Sequence, residues 1–273
     1  MKQFKRLSIP YQIWLCLLAL VPMVVMVILS FLKTEGVLFD DVYATFSNFE
    51  IFKEPSTLYA FRDSFLYAGI ATVVSIFLGY FVAYRVFRSK FKNKFMILTI
   101  IILPMWSNLL LRTESLGNVL ERNNIITDIL GVVSPLDIKG TGLAVCIGLI
   151  FTYLPFMILP IYNALEKIDY SLEEASADLG LPEFKTFFKV VLPLSIKGIV
   201  TGSIMVFLPA FSGFVIPAIM SQGNINLIGN IIEQSFRNMN YNVGALLSIV
   251  ILIVILGALL IMNKVDKDGE MLL

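Results

Sequence analysis

A chain of 273 residues that is 58% hydrophobic and 15% charged, with no histidine and a formal charge of +1, lies outside the makeup of a soluble globular domain. With no histidine, no cysteine pair at metal spacing and no G-x-x-x-x-G-K-[ST] phosphate loop, the sequence offers neither a metal centre nor an ATP site of its own. No metal or cofactor is expected on this chain, nucleic acid is not an expected partner, and any nucleotide-driven work must come from another chain.

The bilayer core, about 30 Å thick, requires roughly 20 mostly apolar residues per helix. Six stretches qualify, near 11–32, 64–84, 95–111, 141–165, 198–220 and 243–262. They are continuous apolar runs without the alternation of a barrel strand, so helices are expected, each satisfying its own backbone polar groups. The fold class expected is an all-α integral membrane protein of six transmembrane helices, with 1–273 as a single transmembrane domain. The first stretch follows Lys2, Lys5 and Arg6; its apolar run exceeds a signal-peptide core and lacks a small-residue cleavage site, so it is read as an uncleaved span. The third is the shortest, and its outer end at Ser107 and Asn108 is expected to line protein or water. Pro104, Pro155, Pro160, Pro209 and Pro217 interrupt spans and free backbone carbonyls. Gly198 and Gly202, four apart, invite close helix contact. Cys16 and Cys146 fall within spans, where a thiol acts as a small hydrophobe, and no disulfide is expected.

Lys and Arg are retained on the cytoplasmic side of a membrane. With both termini inside, the inner segments hold 14 of these residues and the outer ones 7. The loop 85–94 carries most of the signal, with Arg85, Arg88, Lys90, Lys92 and Lys94 and no acidic residue. A multi-pass plasma-membrane protein with both termini cytoplasmic follows. The outer segments hold 11 acidic residues, a net negative face that mildly favours cations, though an ordinary solvated surface looks the same.

The loop 166–197 is the most informative segment. Ser171-Leu172-Glu173-Glu174 predicts a capping box that starts a short helix. Leu172, Ala175, Ser176 and Leu179 then share one small apolar face, Gly180 ends the helix, and Pro182 begins another. Phe184, Phe187, Phe188 and Val191 extend an apolar face toward Leu192-Pro193 and the next span. By themselves these features also describe a surface helix at the headgroup boundary.

Glu174-Ala175-Ser176, then Gly180 after three intervening residues, then Val190-Val191-Leu192-Pro193 after nine more resemble the E-A-A, G, I-x-L-P signature of binding-protein-dependent ABC importer permeases. Ser176 for alanine and Val190 for isoleucine are its two departures. Leu103 to Asn108, Leu111-Arg112-Thr113, Leu154 to Pro160, Ala164 to Lys167, Leu208 to Phe211 and Leu227 to Asn230 resemble the polyamine-importing branch, which takes spermidine and putrescine. Glu114-Ser115-Leu116 departs from it where aromatic residues are expected. The resemblance implies a type I importer permease bundle and a second permease subunit that shares a central cavity. It also implies two ATPase subunits carrying ATP and Mg, and an extracytoplasmic binding protein that delivers substrate. The 171–182 helix would be the coupling helix, with Glu174, Ala175, Ser176, Asp178, Gly180, Leu181, Leu192 and Pro193 as the ATPase-coupling residues.

A polyamine route should combine carboxylates with aromatic faces. Trp106, Glu114, Glu121, Tyr153, Phe211 and Glu233 are the candidates, each with an ordinary alternative as interfacial anchor, ion-pair partner, packing residue or solvated charge. Arg112 is expected to be neutralised or turned from the route. An importer permease for another small ion stays open, and so does an ATP-independent secondary transporter. The lack of intramembrane carboxylates and histidines counts against the transporter.

Overall fold

The computed structural model describes residues 2–33, 42–121, 129 and 137–265, of which 2–9 and 261–265 as backbone alone. Arg122, Asp128 and Lys267, which entered the charge asymmetry, lie outside the described residues. Contacts divide the chain into two compact units, Met1–Tyr59 with Ile231–Val254 and Ala60–Asn230 with Ile255–Leu273.

In the first unit, α1 (Lys2–Ser30) presents nearly all its apolar side chains from Tyr11 to Ile28 outward, Trp14 among them at 59% exposure. Hydrocarbon rather than water is the medium such a surface requires. The helix leads into a minimal hairpin, β1 (Leu32–Lys33) paired antiparallel with β2 (Tyr43–Ala44), and then a 3-10 turn at Ser47–Lys53. Two side-chain amides fix this exit. Asn48 Nδ2 donates to the carbonyls of Ser30 at 2.9 Å and Leu32 at 2.7 Å, and Asn242 Nδ2 donates to that of Leu29 at 3.2 Å. Phe31, Phe46 and Phe49 gather beside them with ring centroids 5.6 to 6.0 Å apart.

The second unit holds most of the membrane bundle. The remaining helices are α2 (Pro55–Arg88), α3 (Lys94–Ile102), α4 (Leu109–Val119), α5 (Gly142–Glu166), α6 (Tyr170–Asp178), α7 (Glu183–Thr186), α8 (Leu192–Ser212), α9 (Val215–Met220), α10 (Ile228–Arg237) and α11 (Tyr241–Val265). Among the described residues five helices are long and apolar enough to span a membrane, or six if the bent pair α3 and α4 counts as one span.

The third span is not the straight helix over 95–111 that hydropathy predicts, because α3 and α4 meet at 94°. A 3-10 turn at Leu103–Trp106 carries Pro104, which has no N–H to continue the ladder. Asn108 then restarts the helix as an N-cap, its Oδ1 accepting from the Leu110 N–H at 2.8 Å. The Pro104 carbonyl accepts from Ser107 Oγ at 2.6 Å and Arg112 Nη1 at 2.8 Å. The fifth span also differs from 198–220: it starts at Leu192, stops at Ser212, and resumes at Val215 after an extended Gly213.

The core of this unit is the α5–α8 contact, where Met157, Ile161, Leu165 and Val206 are fully buried. It depends on the two glycines singled out by spacing. A Cβ on Gly198 would lie 2.6 Å from the Pro160 carbonyl oxygen and from Ala164 Cβ; one on Gly202 would lie 2.7 Å from Met157 Sδ. Small residues let the helix backbones approach, which is how membrane helices gain packing without a hydrophobic drive between them.

Candidate functional site

The loop between α5 and α8 folds as two short helices and a turn. The N-cap of α6 is Asp169, whose Oδ1 accepts from the Ser171 N–H at 2.9 Å, and not Ser171 as the capping-box pattern predicts. The aspartate wins because it sits one residue ahead of the helix, where a carboxylate also meets the positive end of the helix dipole. That hydrogen bond, with one from the Ser171 hydroxyl, holds the Asp169 carboxyl below the usual carboxylate range.

Gly180 closes the helix as expected. With φ of +77°, its N–H donates to the Ala177 carbonyl at 2.8 Å, and the Leu181 N–H reaches back to the Ser176 carbonyl at 3.1 Å. These two bonds form a Schellman cap. The glycine is required by this backbone conformation, since a Cβ there would meet nothing within 4 Å.

Beyond α7 a π-turn at Phe187–Val191 bonds the Leu192 N–H five residues back to the Phe187 carbonyl. Leu192 is half-buried and Pro193, exposed in the first turn of α8, needs no N–H partner there.

The predicted apolar face divides in two. Leu172, Ala175 and Leu179 are exposed, as are Glu174, Asp178 and Gly180 around them, while Leu181 is half-buried. Ser176 turns the other way. It is buried, and its hydroxyl shares a 2.8 Å hydrogen bond with Thr186 Oγ1, tying α6 to α7. Of the phenylalanines, Phe184 and Phe188 point out while Phe187 and Val191 pack inward. The loop therefore presents a compact surface of small and apolar side chains ringed by carboxylates, on a helix anchored from behind.

The predicted pathway residues are not all brought together. Phe211 is fully buried, its ring 4.7 Å from Phe65 and stacked on Phe207, so it is packing and lines no route. Glu114 and Glu121 share one partner that sequence reasoning missed, Lys139 Nζ, at 3.5 and 2.8 Å. Burial works against the Lys139 charge, but hydrogen bonding to Glu121 and the nearby Glu114 carboxylate outweigh it and raise the ammonium above its ordinary value. What the cluster contributes to stability is thus present at neutral pH and lost only as pH rises past 10.5 through the raised value. Replacing Lys139 with methionine should destabilise the purified chain by about 1 kcal/mol or less, read as a slightly lower melting temperature, and remove the share of the parent's alkaline loss of stability that this cluster contributes.

Arg112 Nη1 donates to the Pro104 carbonyl and not to Glu114, a contact that holds the side chain without neutralising its charge. Tyr153 is half-buried, with its hydroxyl 3.5 Å from the Pro209 carbonyl. Glu233, in the other unit, pairs with Arg237 one turn along α10. Trp106 is 88% exposed and stands at one end of a cleft of about 990 Å³ along α3 and α5. Tyr162, Asn163 and Glu166 line the same cleft, with Tyr162 donating to Glu166 at 3.3 Å. The i,i+4 spacing of that pair was the signal available in the sequence.

The chain is thus a bundle of apolar helices, one of them sharply bent, with an anchored loop whose small and apolar side chains face outward. Residues 75–267 match the family of binding-protein-dependent transport system inner membrane components, and the chain belongs to that family. It is 34% identical over 241 residues to the spermidine/putrescine transport system permease protein PotB of Haemophilus influenzae, covering 86% of this chain and 84% of that one. With PotB of Escherichia coli K12 it shares 33% over 246 residues, 88% of this chain and 90% of the relative. In structure it matches a chain of a bacterial alginate ABC transporter, crystallised with an alginate-bound periplasmic protein, at a TM-score of 0.77 and 14% identity. The match covers 97% of this chain and 94% of that one. The protein is a multi-pass membrane protein with the fold of an ABC importer permease.

Proposed function

We propose that this chain is one permease domain of an ATP-driven polyamine importer, forming half of the translocation pathway and coupling it to separate ATPase subunits. The observation that carries the reading is the similarity to PotB over most of both chains. The exposed α6 surface, ringed by Glu174 and Asp178, supports it, since it offers a groove-seating helix whose register charged hydrogen bonds can fix. Ala175 and Gly180 meet the ATPase in this reading, with Ser176 holding the helix from behind. Both termini lie in the cytoplasm, in keeping with the basic 85–94 loop and the coupling loop on one side. A second permease subunit completes the cavity, an extracytoplasmic protein delivers the substrate, and two ATPase subunits bind ATP and Mg. This chain itself is a transport subunit without catalytic residues.

Along the route Trp106, Tyr162 and Glu166 supply aromatic faces and a carboxylate suited to ammonium groups. Glu114, Glu121, Tyr153 and Glu233 remain route candidates, Glu114 and Glu121 through the one negative charge they leave beside Lys139. Proteoliposomes holding the complete complex should accumulate radiolabelled spermidine or putrescine only with the binding protein outside and ATP inside. Unlabelled polyamine should compete and sulfate should not. Uptake of a different ion, insensitive to polyamine, would retain the importer and discard the substrate.

A further inference from the structure

The end of α2 near Arg88 meets the coupling loop at α6 and at the π-turn, and meets the first turn of α8 beyond it. Arg88 Nη2 donates to Glu173 Oε2 on α6, and its Nε donates to the Tyr84 hydroxyl at 3.2 Å. The guanidinium lies 5.4 Å from the Tyr84 ring centroid and 5.8 Å from that of Phe87. Tyr84 stacks on Tyr80, and both rings meet Phe187 of the π-turn edge-on, at 5.2 and 5.6 Å. The Tyr80 hydroxyl shares a 2.9 Å hydrogen bond with Ser195 Oγ in the first turn of α8. Glu174, Glu183 and Arg85 line the same cleft of about 450 Å³ as the pair. Its side chain is only 10% exposed, against 37% for Arg88.

We propose that the Arg88–Glu173 pair is a strut that makes α2 move with the coupling helix, so that loop motion reaches a second span besides α8. Covalent continuity joins the loop to α5 and α8, whereas α2 meets it through side chains alone. A half-buried, charge-assisted pair backed by stacked aromatics resists shear better than apolar contact, because separating the charges leaves Glu173 buried without its partner. Glu173 is a positioning residue in this account. It lies just outside the Glu174-Ala175-Ser176 signature and turns away from the exposed docking surface.

The inference rests on the assignment of α6 as the coupling helix, and the test separates the two. The complete complex is reconstituted with its ATPase and binding protein, and substrate taken up per ATP hydrolysed is measured. Glu173→Gln and Arg88→Gln should each lower that ratio about fivefold or more, the span of a typical coupling free energy, while the ATPase still copurifies. The exchange Arg88→Glu with Glu173→Arg should restore most of it. Single variants that keep the parental ratio, or an exchange no better than either single variant, overturn the strut.

If a single variant fails to assemble, the chain Arg88→Cys/Glu173→Cys, with Cys16→Ser and Cys146→Ala, decides. Bridging the two thiols with a short bismaleimide should restore coupled uptake; bridging without recovery overturns the proposal. A parental complex that brings down no ATPase defeats the coupling-helix assignment itself.

Discussion

Replacing Ala175 with tryptophan should abolish ATP-driven uptake while the chain still inserts and purifies as a folded protein. Ala175 is exposed on α6 beside Leu172 and Leu179, which are 45% and 82% exposed, so nothing within the chain depends on its size. The cost falls on the complex. Overpacking a fitted contact is destabilising by about 1–3 kcal/mol, which corresponds to roughly five- to 150-fold weaker association. Copurification of the ATPase with tagged Ala175→Trp measures this directly. Ser176→Trp should behave differently: the hydroxyl pairs with Thr186 inside the loop, so that variant should lose folded loop structure before it loses the partner. If Ala175→Trp retained both ATPase and uptake, the docking surface would have to lie elsewhere.

The second large effect is expected in the membrane. Gly198→Leu should leave little folded protein, because even the first added carbon would lie 2.6 Å from a backbone carbonyl oxygen that cannot swing aside. Gly202→Leu should be somewhat milder, since its nearest obstacle is the flexible Met157 side chain. A Cβ at Gly69 on α2 would meet nothing within 4 Å, so Gly69→Leu serves as the control that keeps near-parental yield. Size-exclusion profiles of the three variants in one detergent give the comparison. Equal yields would mean that the α5–α8 contact does not limit stability.

The spans and the loop between α5 and α8 were legible because their signals are local. Apolar runs fix where helices cross, and Gly180 followed by Leu181 and Pro182 can scarcely do anything but end a helix. Gly198 and Gly202 were legible for the same reason, since four-residue spacing puts them on one helix face. The 94° elbow was half legible. Ser107 and Asn108 marked the weak end of the third span, but the bend is held by Arg112 reaching back to Pro104, a contact eight residues long.

Contacts made across the bundle left no trace in the sequence. Nothing in the order of residues says that Lys139 serves both Glu114 and Glu121, that Phe211 is enclosed by Phe65 and Phe207, or that Glu173 reaches Arg88 rather than its neighbours. Composition identified chemistry suited to an ammonium group; tertiary packing decided which of those groups were already engaged. That is why the helix and glycine stop of the loop between α5 and α8 were legible, while its N-cap, the inward turn of Ser176 and the engagement of the polar residues were not.

The central claim is that this permease couples polyamine movement to a partner's ATP hydrolysis, and the ATPase rate of the assembled complex with its binding protein tests it most directly. Titrated with spermidine, putrescine, sulfate and thiamine in turn, the rate should rise with a polyamine alone. Stimulation by sulfate or thiamine in place of a polyamine, or an ATPase that never associates with the chain, would contradict it.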